Sequence, residues 1–266
     1  MAFPVALTIA GSDTIGGAGI QADLKTFAAL GVYGTTAITA LTAQNTKGVS
    51  AINEAPADFV KSQIDAVMSD LPVAAVKIGM TASQPIVEAI ADRLVYWQPK
   101  NVVLDPVMIA TSGDRLLADG AIDAIRTQLM PLASLVTPNL PEAAALLDDH
   151  VARTEDDIAY QGRRILKFGV PAVLIKGGHG EGPSSIDYLI TADSVVPFAA
   201  PRLNTRNVHG TGCTLSSAIA AGLAKGESME DAVRRAKDYI TAAIAAADQL
   251  GIDRDNGPIH HFHAYD

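Results

Sequence analysis

The residues with the clearest chemistry lie at 210–213, where Gly210, Thr211 and Gly212 precede Cys213 and an alanine-rich run that continues to residue 224. The two glycines let the backbone turn tightly, and the run behind them favours a helix. Such a turn directs unpaired backbone N–H groups and the positive end of a helix dipole at one point. The segment therefore predicts a binding site for an anion such as phosphate.

Cys213 is the only cysteine of the chain and lies inside this segment. A helix start can lower the pKa of a thiol, so the pattern favours a thiolate that accepts a proton from an alcohol. The alternative is a small residue that packs a helix start, as most buried cysteines do. A phosphate site beside a base indicates phosphoryl transfer.

Polar clusters follow six predicted strands, beginning at Gly11, Gln44, Gly79, Asp105, Pro138 and Lys176. The carboxyl ends of parallel strands share one edge of a sheet, and ligands of open α/β sheets bind at that edge. We therefore expect these clusters to form one site.

Three of these positions or their neighbours suit a substrate. The amide of Gln44 presents one acceptor and a donor pair, which complement the ring nitrogen and exocyclic amine of an aminopyrimidine. The thioether of Met80 could pack against such a ring. Lys176 ends an apolar run, where an ammonium is costly unless it meets an anion. A surface glutamine and a core methionine remain the alternatives for Gln44 and Met80.

Short β-branched runs alternate with longer helical patterns along the chain. We expect strands at 5–10, 35–42, 74–78, 102–104, 135–137, 172–175, 187–191 and 195–199. We expect helices near 17–30, 57–70, 84–97, 118–130, 140–147, 155–168, 212–224 and 229–249. This order predicts an α/β fold, with a mostly parallel sheet, helices on both faces and an antiparallel hairpin at 187–199. No linker or repeat divides residues 1–266, so we expect a single domain.

The composition argues against several classes of protein. With 20 basic and 29 acidic residues the net charge is −9, which disfavours nucleic-acid binding. No apolar run approaches the ~20 residues of a membrane span. The N-terminus lacks the basic start of a signal peptide, and a single cysteine suits a reducing compartment. We therefore expect a cytoplasmic protein.

Residues 17–22 fit the G-x-G-x-x-A pattern of dinucleotide-binding proteins. That pattern needs an acidic residue about 20 positions further on to bind the ribose. None lies between Asp23 and Glu54, so we do not expect a dinucleotide site. The chain has no Walker A motif either.

The motifs as a series resemble those of the hydroxymethylpyrimidine/phosphomethylpyrimidine kinases, in the vitamin-kinase branch of the ribokinase-like superfamily. The series is GSD at 11–13, GGAGIQAD at 16–23, TAQNT at 42–46, KIGM at 77–80, DPVM at 105–108, TPNLPEA at 137–143, KGGH at 176–179 and HGTGC at 209–213. The resemblance implies a three-layer α/β/α fold, a homodimer, and the use of ATP and Mg²⁺. It also implies two successive transfers to one pyrimidine in thiamine biosynthesis, first to the hydroxymethyl oxygen and then to the monophosphate.

The resemblance also assigns roles to residues. Cys213 takes the place of the base, and Gly210, Thr211 and Gly212 supply N–H groups to the transferring phosphoryl. The residues it implies for the pyrimidine are Gln44, Met80, Asp23, Gly11 and Val107. The residues it implies for the nucleotide and its phosphates are Lys176, Asn139, Lys237 and Thr211. Glu142 and Asp105 are implied for magnesium.

Several of these assignments have simpler alternatives. Instead of binding a ligand, Asp23 and Glu142 could simply interact with the dipoles of the helices in whose first turns they are expected. Lys237 could be a solvated helix charge. His260, His261 and His263 are expected to cap an edge or a subunit contact rather than to bind a metal. Residues 179–184 form the segment that could cover the nucleotide.

Two other functions remain open at this point. Some members of the same branch phosphorylate pyridoxal, whose aldehyde can add to a cysteine. A catalytically silent ligand-binding protein on the same fold is the more remote alternative, which the complete phosphate-site motifs disfavour.

Overall fold

The computed structural model describes residues 3–108, 116–118, 120–179, 182–252 and 256–265. In this part of the chain nine strands form one sheet, in the order β3-β2-β1-β4-β5-β6-β7-β8-β9. The strands are β1 (Val5–Ser12), β2 (Tyr33–Asn45), β3 (Gly48–Glu54), β4 (Val73–Ile78), β5 (Val102–Leu104), β6 (Leu135–Val136), β7 (Val173–Ile175), β8 (Ser184–Ile190) and β9 (Val195–Pro201).

The six strands β2-β1-β4-β5-β6-β7 are parallel to one another. Their apolar residues are buried on both faces, as is usual for parallel sheets. Antiparallel strands lie at both edges, where β3 pairs with β2, and β8 pairs with β7 and β9. The predicted mostly parallel sheet and its hairpin at 187–199 are confirmed.

Helices cover both faces of the sheet. The helices are α1 (Gly19–Ala29), α2 (Ala57–Asp70), α3 (Gln84–Trp97), α4 (Ala121–Ala124), α5 (Leu140–Leu147), α6 (Glu155–Leu166), α7 (Thr211–Ala224) and α8 (Met229–Ala245). On one face Leu7 and Ile9 of β1 share a core with residues of α2, α3, α5 and α6. On the other face Ala6 shares a core with residues of α1, α7 and α8. This alternation along β1 gives the predicted three-layer α/β/α fold.

Two elements differ from the sequence prediction. β2 continues to Asn45 and pairs with β3, a strand that the sequence analysis did not expect. Gln44 therefore lies within a strand instead of following one. The helix expected at 118–130 is only α4, followed by a π-helical stretch at Ile125–Leu129 and a 3₁₀ turn at Met130–Leu132. Pro131 lacks an N–H and cannot extend an α-helix there, while residue 119 lies outside the described range.

The parallel strands end at one edge of the sheet, and α7 begins above that edge. Among the described residues, no helix has the length and apolar character needed to cross a membrane.

Candidate active site

A cavity of about 690 Å³ lies at this edge of the sheet. The predicted site residues that line it are Gly11, Gln44, Met80, Asp105, Val107, Asn139, Glu142, Lys176, Gly210, Thr211, Gly212, Cys213 and Lys237. They come from strand ends, from the starts of α5 and α7, and from the middle of α8. The structure thus brings together all but one of the residues predicted from the sequence.

The start of α7 has the geometry of an anion site. Gly210 adopts a left-handed conformation with φ of 80°, and a side chain there would overlap the carbonyl oxygen of Gly17. The first turn of a helix leaves its N–H groups without intrahelical partners. The N–H of Thr211 donates to the Val208 carbonyl at 3.3 Å. The N–H groups of Gly212 and Cys213 are therefore the ones that face an incoming anion.

Lys176 lies directly above this helix start, because a Cβ on Gly212 would be 3.3 Å from its Nζ. The ammonium is 2.7 Å from Asp105 Oδ1 and 3.8 Å from Glu142 Oε2. Burial alone would lower the pKa of Lys176, but the two carboxylates outweigh it and raise the pKa above its usual value. The side chain is 12% exposed and therefore presents a permanent positive charge to the cavity.

Asp105 is the counter-charge of this lysine. Its Oδ1 accepts from Lys176 and, at 3.1 Å, from Thr137 Oγ1. Its Oδ2 accepts a longer bond of 3.4 Å from Ser216 Oγ. Both oxygens are thus engaged by protein groups, which disfavours the predicted role of Asp105 as a magnesium ligand.

Asn139 and Glu142 form the N-terminal cap of α5. Asn139 Oδ1 accepts from the Glu142 N–H, and Glu142 Oε2 accepts from the Asn139 N–H, both at 2.8 Å. Burial raises the pKa of Glu142 to about 7, with Asp105 adding to the rise and Lys176 opposing it. Glu142 is therefore a helix-start acid, as one reading of the sequence expected, but also a buried one that a cation would stabilise.

The thiol of Cys213 lines the cavity, yet its electrostatics differ from the sequence expectation. Burial raises the pKa of Cys213 to about 11, and the Asp23 and Asp105 carboxylates add to the rise. The Lys77 ammonium and the Gly19 N–H lower the pKa but do not outweigh these effects. The expected thiolate is therefore not the resting form of the free protein. The depth of the thiol outweighs its place at a helix start.

Asp23 is the one predicted residue that does not line the cavity. Its side chain is fully buried and accepts hydrogen bonds from Lys77 Nζ, Thr8 Oγ1 and Ser217 Oγ. The prediction that Asp23 contacts the pyrimidine is therefore wrong in this structure, because its oxygens point into the core. Lys77 was missed as its partner, although a lysine within the apolar run 74–78 signals a buried counter-charge.

Lys237 reaches the cavity wall from α8 and is not a solvated charge. Its Nζ is 2.7 Å from Asp187 Oδ2, while Asp187 Oδ1 accepts from the Gly177 N–H at 2.8 Å. Asp187 thus joins α8 to the loop after β7. The sequence analysis missed this aspartate because it lies within a strand. Residues 180 and 181 of the predicted covering segment lie outside the described range.

The histidine tail packs against α7. His261 Nε2 is 3.0 Å from Thr214 Oγ1, and burial lowers the pKa of His261 to about 4, so the ring is neutral. Within the described residues, no group of three or more histidine, cysteine or acidic side chains is placed to hold a metal ion.

A three-layer α/β/α fold with a helix-start anion site, a lysine above it and a cavity for a small molecule defines a small-molecule kinase of the ribokinase-like class. The comparisons with known proteins narrow this class. The family model described as phosphomethylpyrimidine kinase matches residues 13–260, and the chain belongs to this family.

The hydroxymethylpyrimidine/phosphomethylpyrimidine kinase of Salmonella typhimurium is 55% identical over 260 residues, covering 98% of both chains. The protein of the same name from Rhizobium meliloti is 54% identical, again over 98% of both chains. Among solved structures, an ADP complex of Bacillus subtilis pyridoxal kinase matches with a TM-score of 0.91 at 36% identity, covering 99% of both chains. The phosphomethylpyrimidine kinase of Clostridium difficile 630 matches with a TM-score of 0.81 at 45% identity, over 91% of this chain and 99% of that one.

Proposed function

We propose that this chain uses ATP to phosphorylate 4-amino-5-hydroxymethyl-2-methylpyrimidine and then its monophosphate, in thiamine biosynthesis. The observation that carries the proposal is the presence of Gln44, Met80 and the helix start of Cys213 on the walls of one cavity. A cavity of this kind can hold an aminopyrimidine and a transferable phosphoryl group together. Family membership supports the same assignment.

Gln44 is the residue that reads the pyrimidine. Thr42 Oγ1 donates to Gln44 Oε1 at 3.2 Å and so fixes which end of the amide faces which way. Oε1 retains a lone pair for the exocyclic amine, and Nε2 can donate to a ring nitrogen. Met80 is held close by, because Thr39 Oγ1 donates to its carbonyl at 2.7 Å. Its sulfur lies 3.0 Å from the place where a Cβ of Gly11 would be, so Gly11 makes room for it.

The phosphoryl group is transferred at the start of α7. The N–H groups of Gly212 and Cys213 and the ammonium of Lys176 stabilise the charge on its oxygens. The thiolate form of Cys213, a minor species of the free protein at neutral pH, accepts the proton of the hydroxymethyl group as the hydroxymethyl oxygen bonds to phosphorus. A loose transition state releases that proton late, so the base is needed only at this stage. Lys237, which lines the same cavity, contacts the phosphates.

Glu142 is the carboxylate that we assign to magnesium. The Glu142 and Asp105 carboxylates share one ammonium, that of Lys176, so Glu142 lacks a full counter-charge of its own. Mg²⁺ needs few carboxylates because it keeps much of its hydration shell. The ion would neutralise charge on the phosphates of ATP. Asn139 acts by holding Glu142 in place, since its amide oxygen is used as the helix cap.

The experiment that tests this function is an assay of ADP release with the pyrimidine alcohol, its monophosphate and pyridoxal in parallel. We expect kcat/KM for the two pyrimidines to exceed that for pyridoxal by at least about tenfold, or ~1.4 kcal/mol. The likeness to Bacillus subtilis pyridoxal kinase makes pyridoxal the second candidate substrate. A preference for pyridoxal would replace the proposal, and no turnover of any of the three would favour the silent binding protein.

We further propose a homodimer that acts in the cytoplasm, where ATP and a reduced thiol are both available. Leu41 supports the dimer, because it is a large apolar side chain that is 52% exposed on the β2–β3 hairpin at the edge of the sheet. Light scattering should give twice the 27.6 kDa mass of the chain. A Leu41→Glu variant should lower that mass towards the monomer, and an unchanged mass would place the interface elsewhere.

A further inference from the structure

A buried ion pair lies beneath the catalytic helix start. Lys77, near the end of β4, and Asp23, in the second turn of α1, both have fully buried side chains. Lys77 Nζ is 2.9 Å from each oxygen of Asp23. The ammonium also lies against the strand end, since a Cβ on Gly79 would be 2.7 Å from Nζ.

Hydrogen bonds fix the pair relative to Cys213. Asp23 accepts from Thr8 Oγ1 of β1 and from Ser217 Oγ of α7, both at 2.6 Å. Ser217 follows Cys213 by four residues, so the two side chains lie on the same face of α7, one turn apart. The ion pair is therefore tied to the face of α7 that carries the thiol.

Stability alone does not account for such a pair. Taking two charges out of water costs several kcal/mol per ion, and well-packed apolar residues often stabilise a fold as well. The charges do act on the thiol, however. The groups that face Cys213 are Lys77 from β4, Asp23 and the Gly19 N–H from α1, Asp105 after β5, and Lys176 after β7. Of these, Lys77 and Asp23 have no exposed surface at all.

We propose that Lys77 and Asp23 are positioning residues that set the charge state of Cys213, Lys77 favouring the thiolate and Asp23 limiting that effect while it holds the ammonium under α7. The effect on Cys213 does not depend on the proposed function. Only its consequence, a base for the first transfer, rests on that function.

The test is the rate at which iodoacetamide alkylates the protein at pH 8 without substrates, because Cys213 is the only cysteine of the chain. Asp23→Asn leaves the ammonium uncompensated and should speed alkylation by about tenfold, which corresponds to one pKa unit. Lys77→Met should slow it by a similar factor. The control is Ser217→Ala, which removes a hydrogen bond to Asp23 but no charge and should leave the rate within about twofold.

Opposite effects of the two single variants support the proposal, because a merely structural role would move both in the same direction. If Lys77→Met does not fold, the double variant Lys77→Met/Asp23→Asn removes both charges and should react more slowly than Asp23→Asn alone. Equal rates for Asp23→Asn, the double variant and Ser217→Ala would overturn the proposal. Alkylation needs no turnover, so it tests the charge state of Cys213 separately from the role of Cys213 as a base. Failure of the base role would instead appear as full activity of Cys213→Ser on the alcohol.

Discussion

His209 Nε2 donates to Asp13 Oδ2 at 2.8 Å, and this bond joins two loops that are 196 residues apart in the chain. The same oxygen accepts from the N–H groups of Gly17 and Ala18 at 2.9 and 2.8 Å. Burial alone would raise the pKa of Asp13, but His209 and the loop N–H groups lower it, so the carboxylate is charged at neutral pH. One aspartate thus holds the glycine loop against the residue that precedes the anion site.

Asp13→Asn should weaken this junction, because an amide is a poorer acceptor than a carboxylate and its NH₂ opposes the donors around it. We expect the free energy of unfolding to fall by about 1–3 kcal/mol. We also expect both phosphoryl transfers to slow by a similar factor, because both use the same helix start. Chemical denaturation and kcat/KM for each transfer measure these effects. The control His209→Gln keeps a donor for Asp13 and should be milder. A normal Asp13→Asn enzyme would show that the junction is dispensable.

Gly210→Ala should be far more harmful than Gly226→Ala. A Cβ at Gly210 would overlap the Gly17 carbonyl oxygen and would also strain a φ of 80°. Gly226 is a matched control, with φ of 85° but no atom within 4 Å of an added Cβ. We expect Gly226→Ala to cost about 1 kcal/mol of stability with normal activity, the strain alone. Gly210→Ala should cost more and lose phosphoryl transfer. Equal behaviour of the two variants would mean that the two loops can separate.

The sequence predicted most of the sheet and the cavity because both follow from local patterns. Apolar runs such as 74–78 mark buried parallel strands, and the polar residues after them must meet at one edge. β3 was not predicted because its residues are mostly exposed, so its sequence lacks the apolar run of a buried strand. The missing strand also explains why Gln44 was placed after β2 and not within it.

Charges were harder to predict, because their partners lie far away in the chain. Asp23 looked like a substrate ligand, but its partner Lys77 is 54 residues away and both are buried. The same depth reverses the expected pKa of Cys213, since a helix start lowers a thiol pKa only where desolvation does not exceed its effect. A sequence pattern gives the position of a residue along its strand or helix but not the depth of its side chain below the surface.

Gln44→Leu tests whether Gln44 recognises the pyrimidine. The variant leaves the exocyclic amine and a ring nitrogen without partners, which should cost ~1–3 kcal/mol, or about 5- to 150-fold in kcat/KM. Turnover of pyridoxal should fall less, because pyridoxal lacks that amine. Competition between the two substrates in one assay measures the change directly. An unchanged preference for the pyrimidine would assign its recognition to other residues.

Glu142→Gln should change how stability depends on pH. The folded-state pKa of about 7 lies above the ordinary value of 4.5, so the folded protein holds a proton that the unfolded chain releases. Its contribution to stability is present below pH 4.5 and is lost as pH rises to about 7. Over this pH range the free energy of unfolding of the wild type should therefore fall by up to about 3 kcal/mol more than that of the variant. Denaturation at several pH values, without Mg²⁺, gives the difference between the two proteins.

The same variant separates the two readings of Glu142. If the carboxylate also serves magnesium, the Mg²⁺ concentration for half-maximal rate should rise in Glu142→Gln. A magnesium dependence identical to that of the wild type, at normal rate, would leave Glu142 as a helix cap only.

Cys213→Ser tests whether the thiol is the base of the first transfer. Serine keeps a small polar residue at the helix start, so the N–H groups and the fold should survive. Its hydroxyl is a much weaker acid than a thiol and supplies almost no base. We therefore expect kcat for the pyrimidine alcohol to fall by about 10²–10⁴, with ATP binding nearly unchanged.

The pH profile of the wild type gives the same test in another form. Because the thiolate is the base and the pKa of Cys213 is about 11, kcat/KM for the alcohol should rise with pH throughout the range in which the protein is folded. The second transfer is the internal control, since its acceptor is a phosphate oxygen that is already ionised at neutral pH and needs no base. Its rate should depend less on pH and should suffer much less in Cys213→Ser. Equal losses in both transfers would mean that Cys213 acts through its shape or its field, because a lost base can slow only the step that has a proton to remove.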